Sequence, residues 1–179
     1  GGKSVVVIEK GEPKSCNIVT SCEGKGKTFI MFSDDLDKAL ATFVLANGAA
    51  ATGQKVTIFF TFWGLNVIKK LHKPNVEKDI FGKMFGMMLP SSSRKLKLSK
   101  MSMGGIGGKM MRYIMNRKGI DSLESLRQQA LENGVEFIAC QMSMDVMGVK
   151  QEELLDEVTI GGVATYMERA DNANINLFI

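Results

Sequence analysis

A single cysteine ends an apolar run, and its position makes it the first candidate for chemistry. The run VEFIAC covers residues 135–140 and ends at Cys140, and QMSMDVMG, with helix-forming character and a terminal glycine, follows it directly. A thiol at the start of a helix lies near unpaired N–H groups and the positive end of the helix dipole, which favour the reactive thiolate. Free cysteine is also among the most buried residue types. The residues alone therefore leave two interpretations open for Cys140, a reactive thiol and a packing residue.

The remaining cysteines and the histidine do not complete a familiar catalytic or metal site. Cys16 and Cys22 lie five residues apart in a polar stretch, which does not match the C-x₂-C spacing of zinc sites, and His72 is the only histidine. We therefore predict no metal and no other cofactor. Three cysteines make a poor disulfide framework, so a reducing, cytoplasmic location is expected.

Alternating apolar and amphipathic segments predict the elements that must position Cys140. Strands are expected at 28–32, 55–62, 135–140, 157–160 and 175–179, and helices at about 36–52, 65–72, 76–89, 108–118, 121–133, 150–156 and 161–170. Ser33 or Asp34 is expected to cap the first long helix, and Asp121 with Glu124 to form a capping box. Short connections between strands and helices predict an α/β domain with an open, mostly parallel sheet in three layers.

The carboxyl ends of parallel strands are where functional residues gather in such sheets. Backbone N–H groups of residues 141–143 are placed to stabilise an anion beside Cys140. The candidate binding residues at the four strand ends are Asp34, Trp63, Gly64, Gln141, Met142, Ser143, Gly161 and Gly162.

A methionine-rich and basic stretch, residues 80–120, separates the second and third predicted strands and is called here the Met-rich segment. It holds nine Lys or Arg and no Asp or Glu. Two interpretations remain open, a solvated face over a soft apolar patch and a docking surface for an acidic partner or an anionic group. Nucleic acid is not expected, because aromatic residues are missing between Phe85 and Tyr113 and the net charge is only +4. No run of 18 apolar residues predicts a transmembrane segment.

Three blocks of sequence together resemble a known family. They read KTFIMFSDDLDKALATFVLANGAAATGQKVTIFFTFWGLNVIKK, MSMGGIGGKMMRYIMNRKGI and FIACQMSMDVMGVKQEELLDEVTIGGVATYMERADNANINLFI. They are similar to the DsrE/DsrF/DrsH-like family, in the subgroup often labelled "peroxiredoxin family protein". The resemblance implies a flavodoxin-like parallel sheet in a domain that spans residues 27–179. Within this domain the residues themselves predict a Met-rich basic helical insertion at about 74–119. Residues 1–26 form a lead outside it.

The resemblance also implies a chemistry. Family members carry sulfane sulfur as a persulfide on a cysteine, and Cys140 occupies the matching position within ACQMSMD. The leading hypothesis is therefore a sulfurtransferase-like sulfur carrier. It would exchange sulfur with TusA-like or rhodanese-like donor and acceptor proteins and would assemble as a homo-oligomer. The alternatives are a non-enzymatic module that binds a small ligand or a protein, and a thiol peroxidase with Cys16 or Cys22 as resolving partner.

Overall fold

The structure is a computed structural model that describes residues 25–72, 78, 80–101 and 103–179. Across these residues five strands form one parallel sheet in the order β4-β3-β2-β1-β5. The strands are β1 (Gly26–Met31), β2 (Val56–Phe60), β3 (Glu136–Cys140), β4 (Thr159–Gly161) and β5 (Ala173–Phe178). The predicted parallel α/β sheet is confirmed.

Six α-helices are described over the same residues. They are α1 (Leu36–Ala51), α2 (Ile80–Met88), α3 (Ile106–Arg117), α4 (Leu123–Glu132), α5 (Gln141–Met147) and α6 (Val163–Asp171). Short 3₁₀ turns occupy Phe62–Ile68, Ser93–Lys95, Met103–Gly105 and Gln151–Glu153. Helices α2 and α3 both belong to the Met-rich segment.

The order of the strands decides which helix covers which face of the sheet. The connections from β1 to β2, β3 and β4 step in one direction, and right-handed crossovers then keep their helices on one face. On that face Phe43 of α1 packs against Phe60 and Phe137. The connection from β4 to β5 runs back across the sheet. It places α6 on the opposite face, where Tyr166 packs against Phe59.

Two short helices differ from their predicted form. The helix predicted for 65–72 is a 3₁₀ turn that begins earlier, at Phe62, and ends at Ile68. Its start requires Gly64, because a Cβ there would lie 1.9 Å from the carbonyl oxygen of Met31. The helix predicted for 150–156 is a single 3₁₀ turn, Gln151–Glu153.

The predicted cap of α1 is wrong. Asp35 occupies the cap position, and Ser33 Oγ accepts a hydrogen bond from the Asp35 amide at 3.1 Å. The first amide of α1, at Leu36, donates instead to the carbonyl of Lys97 at 2.7 Å. A distant segment therefore supplies the acceptor that local sequence was expected to provide.

The predicted capping box of α4 is also wrong. Ser122 is the cap, and its Oγ accepts from the Ser125 amide at 3.1 Å. Glu124 turns away to pair with Arg112, at 2.9 Å between Oε2 and Nη1. Burial opposes the charge on Glu124, yet the hydrogen bond and the positive charge of Arg112, together with hydrogen bonds from the backbone and from Ser93, outweigh it and lower the pKa of the carboxyl.

Several predictions fall on residues outside the described ones. They concern the lead that carries Cys16 and Cys22, and the start of the helix predicted for 76–89. Among the helices that are described, none combines the length and the apolarity needed to cross a membrane.

Candidate functional site

Cys140 lies at the carboxyl end of β3, where the sequence placed it, but its side chain is covered. It pairs in register with Gly161 of β4 and occupies the cap position of α5 in an extended conformation. Only 1% of its surface is exposed. The thiol belongs to a small apolar cluster with Phe59, Ile138 and Tyr166. Solvent does not reach Cys140 in this conformation.

The cover over this cluster is α6. Tyr166 is the buried residue of that helix, and its ring lies 5.2 Å from the ring of Phe59. Its hydroxyl is 3.1 Å from the hydroxyl of Thr28 on β1. Near the other end of the helix, Arg169 pairs with Glu136 at 2.9 Å. One buried aromatic side chain and one ion pair thus help to hold α6 over the thiol, and Ala170 is partly buried against the same cluster.

The residues that follow Cys140 point in different directions. The predicted helical turn is confirmed as α5, which ends at Gly148 with a φ of 62°. Gln141 faces outward and donates to Asp145 at 3.0 Å, and Met142 is exposed. Ser143 is buried, and its hydroxyl lies 2.7 Å from that of Thr61 at the end of β2.

A separate cleft of about 730 Å³ opens at the carboxyl end of β1. It is lined by Asp34, Trp63, Met87, Met88, Lys95 and Lys97, among others, and Cys140 is not one of its lining residues. Asp34 accepts a hydrogen bond from the buried amide of Asn66 at 2.9 Å. Burial raises the pKa of the Asp34 carboxyl above its ordinary value. The Oδ1 atom of Asn66 is buried without a hydrogen-bond partner.

The three glycine candidates have structural positions that differ. Gly64 allows the chain to pass close to β1, and its amide donates to the carbonyl of Phe32 at 2.8 Å. Gly161 adjoins Cys140 in the sheet, and Gly162 is the exposed cap of α6 with open space around it. The predicted site residues therefore form two groups, one around Cys140 and one around the Asp34 cleft.

Two features of the site were not found from the sequence. Tyr166 closes the cluster over Cys140, but nothing in GGVATYMERA marks it, because Val163 and Met167 are equally apolar and remain exposed. Lys78 and Glu153 form a buried ion pair at 2.5 Å that ties the chain before α2 to the turn after α5. Within the described part of the chain, no group of His, Cys, Asp and Glu side chains is arranged to hold a metal ion.

Comparison with known proteins identifies the family. The sequence description of the DsrE/DsrF/DrsH-like family matches residues 24–178. The chain is 44% identical over 155 residues to the uncharacterized protein YrkE of Bacillus subtilis (strain 168). This match covers 87% of this chain and 97% of YrkE. It is 38% identical over 161 residues to the sulfur carrier protein DsrE2 of Allochromatium vinosum. That match covers 88% of this chain and 99% of DsrE2.

Among solved structures, the YchN protein of E. coli has a similar fold. It matches with a TM-score of 0.51 and 9% sequence identity, over 87% of this chain and 99% of YchN. At that identity the likeness concerns the fold alone, which agrees with the parallel sheet described above. Because the family description matches most of the chain, and a relative at 44% identity matches nearly all of its own length, the chain belongs to the DsrE/DsrF/DrsH-like family.

Proposed function

We propose that the protein is a cytoplasmic sulfane-sulfur carrier and that Cys140 bears the sulfur as a persulfide. The observation that carries the proposal is the position of Cys140, at the carboxyl end of a parallel strand and at the cap of the helix that follows. Family membership and 38% identity to a protein named as a sulfur carrier support it.

The proposed step is a thiol exchange in which atoms and charge balance. The Cys140 thiolate attacks the outer sulfur of a donor persulfide, R–S–SH. A new S–S bond forms on Cys140, the S–S bond of the donor breaks, and the donor leaves as the thiolate R–S⁻. An acceptor thiolate later repeats the attack on the outer sulfur of the Cys140 persulfide and restores the Cys140 thiolate.

The burial of Cys140 requires the site to open before sulfur can be transferred. Attack needs a direct approach to the sulfur atom, which the apolar cluster around Cys140 blocks in the closed conformation. We propose that displacement of α6 supplies this access, because α6 is held by few buried contacts. When the helix closes again, the same cover shields the persulfide from other thiols.

The donor and acceptor are proposed to be TusA-like or rhodanese-like proteins that dock beside Cys140. The residues proposed to meet them are Gly162, Val163, Met142 and Met167, which are exposed on or next to α5 and α6. We also propose that the protein assembles as a homo-oligomer, since the described helices expose more apolar surface than a solvated monomer requires.

Intact-mass spectrometry after exposure to polysulfide tests the proposal. The experiment uses Cys16→Ser/Cys22→Ser protein, so that Cys140 is the only thiol. We expect an added mass of one sulfur atom, about 32 Da, that a reductant removes. The matched control, in which Cys140→Ser is added, should gain no mass. The same protein is also exposed to polysulfide in denaturant, to show that its thiol can react. If Cys140 reacts fully in denaturant but stays unmodified in the native protein, the result would count against sulfur transfer at this residue.

The Asp34 cleft supports a second candidate, a module that binds a small ligand without chemistry at Cys140. The cleft has a volume of about 730 Å³, and Asp34, one of its lining residues, accepts a hydrogen bond from the buried side chain of Asn66. A ligand bound there would change the fluorescence of Trp63, the only tryptophan. Ligand binding that survives Cys140→Ser unchanged, together with the absence of sulfur uptake, would favour this candidate.

A further inference from the structure

Most of the methionine side chains in this protein face solvent. Methionine is ordinarily among the residue types that are most often buried. Here eight of the 13 methionines are at least half exposed. Two of them, Met142 and Met167, lie on α5 and α6, and the other six belong to the Met-rich segment: Met84, Met87, Met88, Met101, Met103 and Met110. The abundance of methionine therefore adds thioethers to the surface rather than to the core.

Helix α5 contains both kinds of methionine. Met142 is 55% exposed, whereas Met144 and Met147 are buried on the side of the same helix that packs on the core. Met31 of β1 is also fully buried. The native fold therefore divides chemically identical side chains into thioethers that solvent reaches and thioethers that it does not.

This division matters because a thioether is reactive where leucine or isoleucine is inert. Oxidation converts methionine to methionine sulfoxide, and dedicated reductases reverse the change. Susceptibility to oxidation follows the exposure of the sulfur atom. The eight exposed methionines are therefore open to oxidants, and Met31, Met144 and Met147 are protected by the core.

Cys140 is the most oxidisable kind of sulfur in the described residues and also one of the least accessible. It lies within the apolar cluster closed by Tyr166 of α6, and it is the free cysteine of the described part of the chain. An oxidant that attacks thioethers and thiols at similar intrinsic rates is divided between them by access alone. For such an oxidant the exposed methionines react before Cys140 does.

We propose that the eight exposed methionines are sites of reversible oxidation by hypochlorous acid and that, by consuming it, they spare Cys140. Hypochlorous acid is the class of oxidant chosen because it reacts rapidly with thioethers as well as with thiols. Hydrogen peroxide reacts slowly with thioethers, so the same methionines give little protection against it. The proposal concerns the fate of the thiol under oxidation and holds whether or not Cys140 carries sulfur.

The proposed step balances in atoms and electrons. The thioether sulfur attacks the chlorine of HOCl, an S–Cl bond forms, and hydroxide leaves. Water then adds to the sulfur, chloride departs, and two protons are released, which leaves the sulfoxide. The sulfur loses two electrons and the chlorine gains them. In the reverse reaction a reductase supplies two thiols, the sulfoxide oxygen leaves as water, and a disulfide forms on the reductase.

Peptide mass spectrometry after treatment with hypochlorous acid tests which sulfurs react. Cys16→Ser/Cys22→Ser protein is given up to about eight equivalents, quenched with free methionine, denatured and alkylated. We expect a gain of about 16 Da at the exposed methionines, unmodified Met144 and Met147, and a Cys140 that is still mostly alkylated. Methionine sulfoxide reductases of both epimer specificities should then remove the added oxygen.

Two matched variants change the number of exposed thioethers in opposite directions. The first replaces four exposed methionines with leucine and the second replaces four exposed aliphatic residues with methionine: Met84→Leu/Met87→Leu/Met88→Leu/Met110→Leu and Val44→Met/Leu45→Met/Ile80→Met/Ile106→Met. With four exposed thioethers instead of eight, the loss of Cys140 at a limiting dose should about double. With 12 it should fall to about two thirds of the parent value.

A separate measurement keeps this comparison independent of α6. Both variants alter only exposed side chains outside α6. Cys140 should therefore react with an aromatic disulfide reagent at the parent rate in both proteins. A change in the loss of Cys140 then reports competition for the oxidant rather than a looser cover over the thiol.

Three results would overturn the proposal. The first is loss of Cys140 before the exposed methionines are modified. The second is oxidation of Met144 and Met147 as fast as Met142, which would indicate that exposure in the native fold does not govern the reaction. The third is the same loss of Cys140 in both variants, or none in either, which would assign its protection to α6 alone. Sulfur uptake from polysulfide is measured separately, so failure here leaves the sulfur-carrier proposal intact, and the reverse also holds.

Discussion

The hydroxyl of Tyr166 offers a direct test of whether α6 guards Cys140. Tyr166→Phe removes the contact with Thr28 and leaves the ring in place against Phe59. Thr28 keeps its second contact, with the side chain of Asn176, so no buried hydroxyl is left without a partner. The substitution therefore loosens α6 without opening a cavity beside the thiol.

The size of the effect follows from the free energy that one hydrogen bond contributes to the closed state. Loss of a buried bond between neutral groups costs about 0.5–1.5 kcal/mol. If only the closed state makes this bond, its loss raises the equilibrium constant for opening of α6 by the corresponding factor, about 2- to 13-fold. When opening and closing are faster than the thiol reaction, the observed rate of modification should rise by the same factor.

The assay is the rate at which an aromatic disulfide reagent modifies Cys140 under native conditions. Cys16→Ser/Cys22→Ser protein serves as the parent, so that one thiol is followed. Tyr166→Ala should give a further increase, because loss of the ring removes most of the buried surface of α6.

The control lies on the opposite face of the sheet. Phe43 is fully buried and packs against Phe60 and Phe137, so Phe43→Leu should lower global stability by roughly 1 kcal/mol without loosening α6. We expect it to leave the thiol rate nearly unchanged. If Phe43→Leu and Tyr166→Phe accelerate modification equally for equal loss of stability, Cys140 is exposed by global unfolding and the reasoning about α6 fails.

Three further predictions are measured by urea unfolding. Gly64→Ala should lower the free energy of unfolding by roughly 3 kcal/mol or more, because the added Cβ would clash with the backbone. Gly48→Ala has open space around it and should raise the free energy of unfolding by about 0.5–1 kcal/mol. Equal effects of the two substitutions would contradict the close approach of the backbone at Gly64. Asp34→Asn should stabilise more at pH 7 than at pH 3. Burial raises the pKa of this carboxyl, so stability declines as pH rises through that pKa, and a pH-independent effect would refute this. Lys78→Met should lower the free energy of unfolding by about 3–5 kcal/mol, because the buried Glu153 carboxylate loses the cation beside it and keeps the Lys150 amide as a donor. Lys78→Met/Glu153→Leu should lower it less, and a larger loss in the double variant would refute the pairing.

The elements of the sheet could be predicted because their signals are local. The runs that became β2 and β3 are largely apolar, apart from Thr57 and Glu136, as expected for strands buried on both faces. Gly148 ended α5 as expected, since it adopts the left-handed conformation that glycine favours. The same logic put Cys140 at the correct edge of the sheet.

The burial of Cys140 could not be predicted, because it depends on the order of the strands. The apolar pattern of the sequence predicts the strands β4 and β5, but it does not indicate that they lie at opposite edges of the sheet. That crossing is what carries α6 to the face where the thiol lies. The caps failed for a related reason, since the carbonyl of Lys97 and the guanidinium of Arg112 come from the Met-rich segment rather than from the helices they serve.

The pairing of β1 with β5 has a consequence for the newly made chain. Residues 26–30 have partners at 173–178, so about 145 residues must be translated before one edge of β1 can be closed. Until then β1 and its neighbours can form a sheet with an open apolar edge, and the face of β3 that carries Cys140 has no α6 above it. Such late, long-range closure slows folding and leaves an aggregation-prone edge exposed. During synthesis the thiol is therefore accessible for a period that the finished fold no longer permits.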